Sequence, residues 1–238
     1  IGSQVRTLSP YMFAHSSITS ITIPATVTAI GRNVFDACDD LTTLSFEKNE
    51  TPLEIMGQDD SDGPFYDSPL TTINYNRNFV YKKVNGEEFI PSDDSDGIFA
   101  ISNDAKNKIT GKSVVTIGEL IQTIPDYMCN NLAITELTIP NTVANLGMHA
   151  FLNCDRLTNI TIQDNTNSLN LQTQSYSAMG PFYNSPLTDI YLGREILYNG
   201  EAYKPGMSES GIFYSEKSAK GIYIKSSYFG ASWKARFG

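Results

Sequence analysis

The stretch Val5–Phe46 returns as Ile121–Ile162, at a constant offset of 116 residues and without a gap. Val27 falls on Val143, Gly31 on Gly147, Phe35 on Phe151 and Cys38 on Cys154. Beyond a small length change, GPFYDSPLT at 63–71 recurs as GPFYNSPLT at 180–188. VNGEEF at 84–89 parallels YNGEAY at 198–203, and GIF at 97–99 returns at 211–213. A chain built this way must satisfy one structure twice, so repeats constrain the fold before any local propensity does. The expected organisation is one domain over 1–238, duplicated internally as 1–116 and 117–238.

Each half contains a shorter unit. An aromatic position recurs at Phe13, Phe35, Phe65, Phe99, Cys129 (in place of Phe), Phe151, Phe182 and Phe213. The steps between them are 22, 30, 34, 30, 22, 31 and 31 residues. Shortly after most of these positions stands an apolar–polar–apolar run, as in Ile21-Thr22-Ile23, Leu44-Ser45-Phe46 and Ile160-Thr161-Ile162. Period-2 alternation makes each run a short strand with two side chains inward and one outward. Pro24 and Pro140 lack a donor and end the pairing. A second apolar pair follows (Val27/Ile30, Val143/Leu146), and the next Gly is expected to permit a turn. The Phe-bearing segment reads as a short helical turn, too brief to stand alone. Each unit therefore exposes an apolar edge that its neighbour must cover, and about eight stacked coils share one core.

The expected fold class is an α/β repeat: a right-handed leucine-rich-repeat solenoid of about eight coils, with short strands, short helical turns and inserted β-hairpins. The hairpins come from VYKKVNGEEF and ILYNGEAYKP, where Asn85-Gly86 and Asn199-Gly200 sit between alternating residues.

The unit ITIPATVTAIGRNVFDACDDLTTLSF resembles the BspA-like leucine-rich repeat, a family of bacterial surface proteins. The shared run is Leu-Thr-x-Ile-x-Ile-Pro, then Val-x-x-Ile-Gly, then Ala-Phe-x-x-Cys, and Ile21–Phe46 and Leu137–Ile162 follow it closely. The closing GIYIKSSYFGASWKARF looks like the usual end of such arrays, a last strand followed by a short helix. The resemblance implies a non-catalytic solenoid, exported to the surface of a bacterium and used in adhesion or partner recognition. Ile1-Gly2 falls inside a repeat and no signal peptide precedes it, so the chain reads as a segment of something longer.

Composition narrows the partners. Net charge is −9 and no basic run is present, which disfavours nucleic acid and anionic membranes. No apolar run approaches the roughly 18 residues of a membrane span, so direct membrane insertion is not expected. The expected partner is an extracellular or host protein, or a glycan.

Candidate sites follow from the unit. The outward strand residues Thr22, Ser45, Asn74, Thr138, Thr161 and Tyr191 form a hydroxyl- and amide-bearing row suited to recognition. Tyr223 is expected to end that row. Tyr81, Tyr198 and Tyr203 in the hairpins offer aromatic contact area for protein or sugar. The acidic loops DDSDG at 59–63 and 93–97 suggest calcium through Asp60, Asp62, Asp94 and Asp96. An EF-hand register fails, because position 1 would be Gln58 or Ser92 and position 12 Pro69 or Asn103. The opposite half has Ser177, Ala178 and Met179 against 60–62 and Ser208, Glu209 and Ser210 against 94–96, so a solvated loop is the plainer reading and Ca²⁺ the alternative to an absent cofactor. Cys38, Cys129 and Cys154 are expected as buried free thiols. His15 and His149 occupy different repeat positions and make no pair for a metal or a triad. No nucleophile–base or metal arrangement is visible, and an enzyme is not expected.

Overall fold

The structure is a computed structural model, and it describes residues 1–57, 63–91, 97–172, 180–198, 200–202, 213, 222–226 and 231–235. The chain winds as a β-solenoid of about seven turns, with parallel sheets and almost no helix. In the first half, β1 (Thr7–Leu8), β3 (Ala29–Gly31), β5 (Leu53–Met56) and β7 (Phe79–Lys82) form one sheet. β2 (Ser20–Ile23), β4 (Thr43–Phe46), β6 (Thr72–Tyr75) and β8 (Val114–Ile117) form another. In the second half, β9 (Thr123–Ile124), β11 (Asn145–Leu146), β13 (Leu169–Leu171), β15 (Ile196–Tyr198) and β16 (Glu201–Ala202) continue the first kind. β10 (Glu136–Ile139), β12 (Asn159–Ile162), β14 (Asp189–Leu192), β17 (Ile222–Ser226) and β18 (Ala231–Ala235) continue the second. The pairing divides between β8 and β9, at residues 117–123.

The third side of each coil carries the aromatic position. Phe13, Phe35 and Phe65 stack at centroid spacings of 5.3 and 4.9 Å, and Phe151, Phe182 and Phe213 at 5.6 and 5.8 Å. The core running from Leu8 to Phe213 lies between this spine and the two kinds of strand.

The Phe-bearing segments are not helical turns, which corrects the sequence expectation. Residues two before and two after the aromatic position take positive φ: Tyr11 and His15, Asn33 and Ala37, Tyr127 and Asn131, His149 and Asn153. A left-handed residue every fourth position stops a right-handed helix from propagating. The backbone turns outward for its partners instead. Tyr11, Phe13 and His15 donate N–H to the carbonyls of Arg32, Val34 and Asp36 in the next coil. The residues between them bond locally, Met12 to Ser9 and Ala14 to Tyr11. Among the described residues one α-helix forms, α1 (Asn103–Asn107), capped by the Ser102 side chain on the Ala105 N–H.

Three smaller expectations also change. Eight strands stand in the second kind of sheet up to β17, and eight strands enclose seven turns rather than eight. Among the described residues the last element is a strand, β18, which pairs antiparallel with β17 where a helix was expected. The repeat glycines act by close approach. A Cβ on Gly147 would meet the backbone of Asp126, and one on Gly97 would fall on the Tyr127 carbonyl oxygen, while neither has positive φ.

The two Asn-Gly hairpins are present. Lys83 donates to Glu87 and Gly86 to Lys83, with Gly86 at φ 85°, and β15 pairs antiparallel with β16 around Gly200 at φ 83°. All three cysteines are free and buried. Each of two thiols bonds a carbonyl one coil back, Cys38 to Phe13 and Cys154 to Cys129. Ser68 and Ser185 do the same to Phe35 and Phe151, so the Cys of the motif is a donor as well as a packing group.

Ala37 sits at φ 46° without the local hydrogen bonding that helps Asn there. Ala37→Gly should therefore hold or raise stability, by up to about 1 kcal/mol, and Ala37→Val should lose about 1–2 kcal/mol. Urea unfolding of the two variants measures this. A loss in the Gly variant would contradict the left-handed conformation.

Candidate interaction face

The outward row of the strand face is in register. Thr22 pairs with Ser45, Ser45 with Asn74 and Asn74 with Thr116. In the second half Thr138 pairs with Thr161, Thr161 with Tyr191 and Tyr191 with Lys225. The register places Lys225 at the end of this row, where Tyr223 was expected. Tyr223 pairs with Asp189, in a parallel outward row formed by Ser20, Thr43, Thr72 and Val114, then by Glu136, Asn159 and Asp189. Thr116 escaped the sequence reading because the strand around it, Val115/Ile117, is a degenerate copy of the unit.

Thr22, Thr116, Thr138 and Thr161 are exposed, and Ser45, Asn74 and Tyr191 are half-buried. Asn74 donates its amide to the Ser45 hydroxyl at 3.0 Å, and the Tyr191 hydroxyl bonds an Asp164 carboxylate oxygen at 3.0 Å. The threonines at the preceding corner are used internally. Thr42 donates its hydroxyl to the Thr19 carbonyl, Thr71 to Thr42 and Thr158 to Thr135. The exposed hydroxyls of the outward row are those of Thr22, Thr116, Thr138 and Thr161.

The hairpin aromatics behave differently. Tyr81 is buried, accepting from the Ile98 N–H and donating to the Asp126 carbonyl. Tyr198 is half-buried and packs on the core. Both occupy the inward register of their sheet, with Ile55 opposite Tyr81 and Leu171 opposite Tyr198. Tyr203, Asp60, Asp62, Asp94 and Asp96 lie outside the described residues. The exposed apolar groups near the first hairpin are aliphatic, Val84 and Ile90.

Two arginines were missed. Arg77 and Arg194 are fully buried, and each donates to carbonyls of earlier coils: Arg77 to Val27 and Thr51, Arg194 to Pro140 and Asn141. Burial lowers both pKa values, since a guanidinium away from water prefers to shed charge. Their signal was in the sequence. After the one-residue length change the halves align at 117, which superposes Arg77 on Arg194. Buried deep in the corner, they staple coils and do not face a ligand.

Other titrating groups follow their surroundings. The Lys112 ammonium, hydrogen-bonded to Glu136, holds that carboxyl low. Burial raises Asp126, against the opposing bond from the Met148 N–H. Burial also pushes the Cys154 thiol up to about 12, far from thiolate chemistry at neutral pH. Among the described residues, no three His, Cys, Asp or Glu side chains converge as for a metal, and no helix is long and apolar enough to cross a membrane.

A family model, the BspA type leucine rich repeat region, matches the chain in six copies over residues 1–86 and 122–203. The chain belongs to this family. Outside the match lie 204–238 and an internal interval, 87–121, which holds the return of the first hairpin, α1 and β8. No curated protein matches the chain. Among solved structures, the pneumococcal vaccine antigen PcpA matches at 16% identity and TM-score 0.32, over 95% of this chain and 67% of that one.

His149 supplies a pH test of the BspA-type turn. It is buried, neither ring nitrogen has a hydrogen-bond partner, and its ring meets Tyr127 edge-on at 4.9 Å. Burial lowers its pKa in the folded state below 6.5. The unfolded chain then takes up the proton first, so this contribution is present above about pH 6.5 and is lost as pH falls through the folded pKa. His149→Asn, which tolerates the left-handed backbone, should flatten the fall in unfolding free energy between pH 7 and 5. Equal slopes in the two proteins would show that His149 is protonated without cost.

Proposed function

We propose that this chain is a non-catalytic recognition module displayed at a bacterial cell surface, which binds a protein partner across the outward rows of its strand face. The observation that carries the reading is the register. Hydroxyl and amide groups from successive coils stand in line, exposed at Thr22, Thr116, Thr138 and Thr161, while the thiols, Arg77, Arg194 and most aromatic rings among the described residues are buried. In solenoids an extended sheet of this kind is the usual contact surface, and its many side chains suit a partner with an equally extended surface. Membership of the BspA type family supports the same reading, including its extracellular setting. The hairpins project from the other sheet, and their exposed tips at Val84–Glu88 are secondary contacts at the flank.

The test is a binding array of extracellular-matrix proteins, host-surface proteins and glycans, probed with this chain and with Thr138→Arg/Thr161→Arg. These two positions are exposed and adjacent in register, so the long cationic side chains should leave the fold intact by circular dichroism. Affinity for a protein hit should fall at least about tenfold, roughly 1.4 kcal/mol. Hits that bind the double variant undiminished would remove the strand face from the reading. Hits confined to glycans would remove the protein partner.

A further inference from the structure

The backbone ladders lapse at one place, the boundary of the duplication. β8 and β10 are joined by a single bridge, Ser113 to Ile134, where neighbouring strands elsewhere on this face share three or four. On the other face, no ladder between β7 and β9 is present among the described residues. The aromatic spine is interrupted there too, with Cys129 between Phe99 and Phe151.

Side chains cross where the ladders do not. Tyr75 donates its hydroxyl to the Thr123 carbonyl, and Asn78 bonds both the Leu120 carbonyl and the Gln122 N–H. Around α1 the crossing groups are charged. Lys106, 7% exposed, reaches Asn131 Oδ1 at 2.7 Å and Asp155 Oδ1 at 2.8 Å. Lys112 pairs with Glu136 at 2.8 Å and Lys48 with Glu119 at 3.9 Å. Arg156 donates back to the Gly111 carbonyl at 2.8 Å. Of the five ion pairs among the described residues, three span the boundary, whereas Lys82–Glu54 and Lys108–Asp39 lie within the first half.

We infer that the segment 101–112 is an electrostatic latch across a weakly laddered joint in the shared core, and that it couples the two halves into one folding unit. In a stacked array, cooperativity passes only through the interfaces between neighbours, so the weakest interface decides whether the array melts as one body or two. At this interface the strand ladders shrink to one bridge, the turn side keeps the backbone bonds from Phe99 to Met128 and from Ile101 to Asn130, and ion pairs are added, two of them exposed enough for salt to screen.

The test uses the full chain and two probes. Trp233 is the single tryptophan and lies in the second half, while far-UV circular dichroism follows both halves. At low salt, urea transitions by the two probes should coincide. In Glu119→Gln/Glu136→Gln/Asp155→Asn they should separate, and salt of roughly 1 M, with a Debye length of about 3 Å, should separate them in the parent chain. These three carboxylates are at least 40% exposed as side chains, and the buried Lys106 ammonium keeps the Asn131 Oδ1 when Asp155 is neutralised. Asp39→Asn, which breaks the Lys108 pair inside the first half, should leave the transitions together. Coincident transitions in the triple variant would overturn the latch. So would separation in Asp39→Asn, or in the parent at low salt.

Discussion

Every coil of this protein leaves part of its backbone unbonded until another coil arrives. The strands carry two to five residues each, and on the turn side left-handed residues flank the aromatic position two before and two after, with N–H groups reaching across to the next turn. Neither arrangement closes on itself. A buried, unpaired amide costs about as much as a lost hydrogen bond, so stacking is the condition of having any structure. The apolar spine, the corner hydroxyls and the buried arginines all follow from that need, since each ties one coil to another.

Much of this was legible in the sequence because it repeats. The aromatic positions, the strands, the hairpins and the outward row from Thr22 to Tyr191 are fixed by spacing and alternation, and the duplication supplied a second copy of nearly every observation. What escaped was conformation without a compositional mark. Tyr11, His15, Ala37 and His149 take positive φ where Gly or Asn would announce it, so the segments between them passed for helical turns. Gly97 and Gly147 are required by what lies beside them, which only the neighbouring coil reveals. For Tyr81 alternation gives two faces without saying which is inward, so a ring capping the core and a ring offered to a ligand look alike until the register with Ile55 is known.

The candidate face was legible to the same extent. Its residue types and their row came from the pattern, while Thr116 and the place of Lys225 required the register. The solvent-facing rows also had to be separated from the corner threonines, which look identical in sequence but donate to the carbonyls of the preceding coil. Chemical type identifies a surface of this kind less well than which hydrogen bonds its hydroxyls have already made.

The hairpin at Asn85-Gly86 grows sideways from its coil. Lys83 and Glu87 close its neck, and its tip, Val84–Glu88, is exposed. Length added there changes neither the rise nor the phase of the stack. The array thus has a position at which a loop can be exchanged or lengthened while the coils on either side keep their registration.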